Sequence, residues 1–206
     1  MDISLRERIL NASRDLFFEQ GYYKTTTRNI AQNAQTSESG IFRLFESKYS
    51  ILMAVYNNSW EKVNHKIDKV IGTYTCPKDK IMCIANTVFL MYESNKKDMS
   101  FIIMNTGNTD TLILERKEHS IISNENQIYI ERLSRLAEDC SEKGLINPKI
   151  DAQSLCEGVM SIIEGCLLGW YLADTSNNYP YKLSIEQALC LVEIFFNDSE
   201  EEKDAL

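Results

Sequence analysis

A chain of 206 residues with 44% hydrophobic residues holds enough apolar material for a sizeable core in one large or two small domains. Its 3 prolines leave room for a mainly helical fold. A net charge of −8 argues against a strongly basic nucleic-acid binder, and no run of about 18 uncharged apolar residues offers a membrane span.

The opening MDISLRERIL lacks the apolar core of a signal peptide, so a cytoplasmic protein with no membrane partner is expected. The acidity is unevenly placed. Residues 1–48 hold 7 Lys/Arg against 6 Asp/Glu, whereas residues 49–206 hold 15 against 24. The six cysteines (Cys76, Cys83, Cys140, Cys156, Cys166, Cys190) form no C-x-x-C pair, and four lie in apolar helical patterns. In a reducing compartment they read as buried thiols. The two histidines, His65 and His119, lie apart from each other and from any cysteine cluster, so no metal site is expected.

From Ser4 to about Gln20, Leu5, Ile9, Ala12, Leu16 and Phe17 recur at helical spacing, and Gly21 stands where a helix ends. Thr26, with Asn29 three residues on, has the spacing of a capping box, and Ile30, Ala31 and Ala34 face inward. After a three-residue turn, Ile41 and Phe45 sit one helical turn apart and hold the next helix, whose outer side is Glu38, Ser39, Phe42 and Arg43. The three helix starts (Thr26 or Thr27, Thr36 or Ser37, and Ser47) leave backbone N–H groups open to an anion beside Arg28, Arg43 and Lys48. Simple capping accounts for each start alone. Together they predict a helix-turn-helix module with a phosphate-gripping surface. Gly40, inside a helix, fits either close packing on a neighbouring helix or close approach to DNA.

A helix is predicted from Lys48 to about Val70, with Leu52, Val55, Tyr56, Ser59, Val63, Ile67 and Val70 on one stripe. Residues 72–77 break it, and Pro77 favours the first turn of the next helix. The segments 79–92 and 98–105 carry four methionines among Phe89, Tyr92 and Phe101. They read either as plain core or as an adaptable pocket with Phe89, Tyr92, Phe101 and Met104 in its wall and Glu164 as a polar group. Residues 105–111 read as a polar loop, 111–123 are ambiguous, and a helix resumes from about Ile122 to near Gly144.

Asp151–Ala173 places Gly158, Ile162, Gly165 and Gly169 on one face, open to close approach by another helix. Its apolar run, Val159–Ala173, is short for a bilayer and holds Glu164. Ser184 caps a final helix expected to run through Leu191, Phe195 and Phe196, and an acidic tail follows. These two helices either pack internally or pair with a twofold copy, with Gly158, Ile162, Gly165, Gly169, Leu191 and Phe195 as candidate interface residues. No Gly-rich phosphate loop, G-x-S-x-G elbow or H-E-x-x-H is present, so no catalytic residues, cofactor or metal are expected.

The stretch GYYKTTTRNIAQNAQTSESGIFRLFESKYSIL resembles the N-terminal signature of the tetracycline-repressor (TetR) family of transcription regulators. The matching residues are Gly21-Tyr22, Thr26-Thr27-Arg28, Ile30-Ala31, Ser37, Ile41-Phe42-Arg43, Phe45 and Ser47-Lys48. The resemblance implies an all-α chain. Residues 1–48 would form a three-helix helix-turn-helix DNA-binding domain, and 49–206 a larger helical ligand-binding and dimerisation domain. It implies that Ser37–Leu44 is the recognition helix. Thr27, Thr36, Phe42 and Lys48 fall where the family touches phosphates, and Arg28, Ser39, Gly40 and Arg43 where bases or adjacent backbone are met; Ser37 lies in the same surface. Phe42 stands where Tyr is usual, Leu44 where His is common, and Glu38 where Lys is frequent, each removing or opposing a phosphate contact. The implied function is a homodimeric repressor on a palindromic operator, released by a small apolar effector. Two other readings stand beside it. One is a helical protein-interaction or adaptor module that has lost DNA binding, and the other a small-molecule carrier or enzyme on the C-terminal helices.

Overall fold

The computed structural model describes residues 3–106, 124–176, 179–180 and 182–197, and is all-α apart from one isolated β-bridge between Ile146 and Phe196. Among the described residues the helices are α1 (Leu5–Gln20), α2 (Thr27–Asn33), α3 (Glu38–Phe42), α4 (Lys48–Ile71), α5 (Pro77–Ser94), α6 (Lys96–Thr106), α7 (Asn124–Glu142), α8 (Ala152–Thr175) and α9 (Ile185–Glu193). Of the loop expected at 105–111, residues 105 and 106 belong to α6 instead; the rest of it, the ambiguous segment to 123 and the tail beyond Asn197 lie outside the described residues. Contacts group the chain into two units, one of residues 1–64 and 91–127, the other of 65–90 and 128–206.

The first unit begins with α1, capped by Ser4, whose hydroxyl accepts the Glu7 N–H at 3.2 Å. The helix buries Ile9, Leu10, Ser13 and Phe17. It stops at Gly21, whose φ of +82° suits a residue without Cβ, and whose N–H closes on Phe17 O at 3.0 Å. The capping box at Thr26 forms as its spacing predicts, with both reciprocal bonds to Asn29. Ile30, Ala31 and Ala34 from α2, with Ile41 and Phe45 beyond it, are buried in the same core as the α1 residues. Leu52, Val55, Tyr56 and Ser59 of α4 are buried as the stripe requires.

α6 packs on α1 through Phe101 and Phe17, whose rings stack 6.3 Å apart. Its first turn carries Asp98, 2% exposed. The Asp98 carboxylate accepts from Arg14 of α1 at 2.8 Å, Lys62 of α4 at 2.8 Å, Ser59 of α4 at 3.4 Å and from Asn95. Burial alone would raise its pKa. The hydrogen bonds from Lys62, Arg14 and Asn95 outweigh that and hold it below the usual 3.8. A buried charge of this kind is tolerated only when it is paired and hydrogen-bonded, so the node fixes three helices to one point.

In the second unit, Pro77 opens α5 as expected, at a position where the missing N–H costs nothing. α7 is followed by Gly144 at φ +65°, and the chain then pairs Ile146 with Phe196. Here the structure differs from the sequence reading. The last helix ends at Glu193 rather than running through Phe196, because Asn147 N–H bonds Phe195 O and Asn197 N–H bonds Leu145 O, each at 2.9 Å. Phe196 enters the core from this bridge. α8, capped by Asp151, runs 24 residues, beyond the apolar stretch Val159–Ala173, and by length and composition alone is long enough to cross a membrane. Its Leu155, Val159, Ile163, Leu167 and Trp170 are buried within the unit. The Trp170 ring meets Phe89 at 5.2 Å, and its N–H donates to Leu183 O at 2.7 Å.

The cysteines are all free thiols. Cys140, Cys156 and Cys166 are buried and Cys76 and Cys83 half-buried, but Cys190 is exposed, contrary to a uniformly buried set. On α9 it lies between the inward positions Ala188 and Val192 and so points outward.

Candidate nucleic-acid interface

The turn between α2 and α3 sets the geometry of the site. Gln35 adopts φ +53°, the left-handed conformation that glycine more often supplies. Its N–H bonds Gln32 O at 3.2 Å, and the Thr36 N–H reaches back to Ala31 O at 2.9 Å. This pair of bonds is a Schellman closure, which ends α2 and redirects the chain in three residues. Ser37 then caps α3 by accepting the Gly40 N–H at 3.1 Å, and its hydroxyl pairs with Ser39 at 2.8 Å. The short α3 is pinned underneath by Ile41, fully buried, and by Phe45. Ser47 and Ser50 cap each other's backbone N–H groups at 3.1 and 3.0 Å and start α4.

With the backbone so placed, Arg28, Ser37, Glu38, Ser39, Phe42 and Arg43 are exposed. Phe42, at 52%, is an uncommonly bare aromatic. Thr27 is half-buried, and its hydroxyl donates to Glu38 Oε2 at 2.7 Å, tying the start of α2 to the start of α3. Thr36 is half-buried against Gly40, where a Cβ would collide with the Thr36 hydroxyl. Packing within the motif therefore accounts for Gly40. Lys48 is half-buried as well, with its ammonium on Tyr22 O at 2.8 Å, on Thr25 O at 2.9 Å and 4.2 Å from the centre of the Tyr22 ring. It stitches the α1–α2 loop to the head of α4.

The other candidate residues are distributed as follows. Tyr92, Phe101 and Met104 fall in the first unit, where Tyr92 and Phe101 are fully buried. Phe89 and Glu164 fall in the second, Phe89 in the core and Glu164 exposed on α8. A groove of about 280 Å³ on α8 and α9 is lined by Ile162, Gly165, Gly169, Trp170, Tyr179 and Leu191 among others, and holds none of those five. It does bring together Ile162, Gly165, Gly169 and Leu191 of the candidate interface. Gly158 and Phe195 instead meet each other, the Phe195 ring lying where a Gly158 Cβ would be.

Sequence reasoning missed the Asp98 node, Gln35 and the groove residues Trp170, Tyr179 and Leu183. For Asp98 a faint signal existed, since Asn95 and Asp98 have the spacing of a helix cap and its third residue.

A buried three-helix core that presents a short, capped helix with an exposed polar and aromatic face is a helix-turn-helix module of the DNA-binding class. Residues 9–55 match the family described as bacterial regulatory proteins, tetR family. The chain is 24% identical over 189 residues to the HTH-type transcriptional regulator HbdR of Aromatoleum sp. (strain CIB), spanning 91% of this chain and 78% of HbdR. Among solved structures it is similar to the transcriptional regulator FadR from Bacillus subtilis in complex with stearoyl-CoA (TM-score 0.69, 16% identity, 91% of this chain and 95% of that one). It is similar also to AibR in complex with isovaleryl coenzyme A and operator DNA (TM-score 0.67, 16% identity, 94% and 98%). At such identities the two structures speak for the fold. Residues 9–55 thus match the tetR-family DNA-binding region, and over most of its length the chain is similar to transcriptional regulators that carry it.

Proposed function

We propose that the chain is a homodimeric repressor that reads a palindromic operator through α3 and leaves it when a small apolar effector binds. The observation that carries this reading is the exposed set Arg28, Ser39, Phe42 and Arg43 on a folded helix-turn-helix with no burial against its own unit. Arg43 is the base reader, Arg28 contacts a base or the adjacent backbone, and Phe42 packs on sugar. Thr27, Thr36, Ser37 and Gly40 shape the surface more than they grip it, since each is engaged within the motif or packed against it. Lys48 adds positive potential while its own hydrogen bonds hold the loop. Residues 1–48 supply the reader and 49–206 the effector and dimer functions.

Dimerisation through α8 and α9 is supported by Leu191, exposed in the groove that also holds Gly165, and by the exposed Leu168 on α8 and Ile194, at 66%, just past the end of α9. A patch of bare aliphatics on two adjacent helices is the composition of a covered surface. The apolar part of the effector is an acyl group, carried as a coenzyme A thioester on the precedent of the stearoyl-CoA and isovaleryl-CoA complexes of the similar regulators. Within the first unit the acyl chain meets the apolar side chains of Tyr92, Phe101 and Met104. The effector favours a state in which α4 holds the two readers at the wrong separation for half-sites one helical turn apart, about 34–36 Å. Such coupling changes operator affinity by about 5- to 150-fold.

The test is selection of bound fragments from the source genome, followed by titration of the bound operator with acyl-CoAs of increasing chain length. Enrichment of a palindrome that one acyl-CoA releases supports the reading. Equal operator affinity with and without saturating acyl-CoA would remove that effector class.

A further inference from the structure

The exposed side of α3 offers few hydrogen-bonding side chains to a base. Ser39 is already paired with Ser37, and Phe42 has no polar atom. That leaves Arg43, which only donates, and Glu38, which only accepts. Glu38 is an odd residue for a surface that meets phosphates, because its charge repels them. Yet it is not turned away: Thr27 donates to its Oε2 at 2.7 Å and holds the carboxylate at the head of α3. Among the described residues, the hydrogen bonds found at Glu38 leave Oε1 open to a donor.

We propose that Glu38 is a specificity-determining residue that selects cytosine in the operator. The inference rests on the operator-binding reading above. On the major-groove edge the donors are the exocyclic amines of cytosine (N4) and adenine (N6). Adenine sets an acceptor, N7, beside its amine, and a carboxylate has no hydrogen to give it; an amide side chain does. Cytosine N4 is therefore the donor that Glu38 fits. Thr27 then acts through Glu38 as a positioning residue, and the carboxylate that opposes phosphates becomes a device for rejecting sequences without an amine at that point.

The experiment is selection of duplexes from a randomised pool by the full-length chain, run with wild type, Glu38→Gln, Glu38→Ala and Thr27→Val. Wild type is expected to enrich cytosine at one position in each half-site, by about 5- to 150-fold over the other bases. Glu38→Gln should move that position to adenine, and Glu38→Ala should leave it indifferent. Thr27→Val should blunt the cytosine preference and leave the other positions as they were. Identical selected sites for wild type, Glu38→Gln and Glu38→Ala would overturn the inference, leaving Glu38 as a tie between two helices with DNA binding intact. A wild-type chain that enriches no sequence would overturn the operator reading and this inference with it.

Discussion

The two stretches of the first unit that hold its helices in place are built differently. Apart from the Thr27–Glu38 bond and the reach of Lys48 back to Tyr22 and Thr25, residues 26–50 are held by bonds that span few residues: Thr26 with Asn29, Ala31 with Thr36, Ser37 with Gly40, and Ser47 with Ser50. The Asp98 node draws its two charged donors from 84 and 36 residues away. The local bonds fix where helices start and stop, whatever else the chain does. The distant ones fix where α1 and α4 lie once they exist. A chain can keep its capped turns and still lose the arrangement that presents them.

The largest effect is therefore expected at Asp98. Asp98→Ala should cost about 3 kcal/mol, because it removes the buried acceptor shared by Arg14, Lys62, Ser59 and Asn95, although Arg14 keeps Asp15 and Lys62 can reach solvent. Urea unfolding would measure the loss. In wild type the carboxyl pKa is held below 3.8 in the folded state, so its stabilising contribution is complete above that value and disappears as pH falls through the folded pKa. Asp98→Ala should flatten this acid limb of the stability curve. An unchanged acid limb would mean the node is not the tie it looks to be.

Two glycines of α8 sharpen the same contrast in the second unit. At Gly158 the Phe195 ring occupies the space of a Cβ, so Gly158→Ala should cost about 1–3 kcal/mol as the ring is displaced. Gly165 has open space and sits mid-helix. Gly165→Ala should raise the stability of the isolated chain by about 0.5–1 kcal/mol. If the groove there is the dimer interface, the same change should weaken association in sedimentation at falling concentration.

The local caps give smaller changes. Thr26→Ala should cost about 1 kcal/mol by leaving the Asn29 N–H without its partner. Gln35→Gly should move the other way by up to about 1 kcal/mol, since glycine reaches φ +53° without strain. Thermal unfolding of the pair reads both signs. A destabilising Gln35→Gly would show that the Gln35 side chain does more than tolerate the turn.

This difference in range also decides what could be read from the residues alone. The capping box at Thr26, the cap at Ser184, Pro77 at the head of α5 and the inward Ile30, Ala31, Ile41 and Phe45 all follow from spacing, and the structure has them so, choosing Ser37 over Thr36 as the cap of α3. The family resemblance, carried by the same short stretch, holds for the same reason. The early end of α9 was not legible, because it depends on pairing with residues some fifty positions earlier, an interaction with no local mark. Nor was the use made of Gly40, Gly158 and Gly165, which look alike in a helical wheel and meet Thr36, Phe195 and nothing, respectively. Lys48 shows the same limit: a cation at a helix start reads as a phosphate clamp until Tyr22 and Thr25 are found against it.

The central claim is that the exposed face of α3 reads DNA, and Arg43 tests it most directly. Affinity for a selected operator and for a scrambled duplex should be measured for wild type and Arg43→Ala across a range of salt. The account predicts that Arg43→Ala costs about 1–3 kcal/mol on the operator, with the loss on scrambled duplex much smaller. Equal affinity of wild type for operator and scrambled duplex, unmoved by Arg43→Ala, would contradict it.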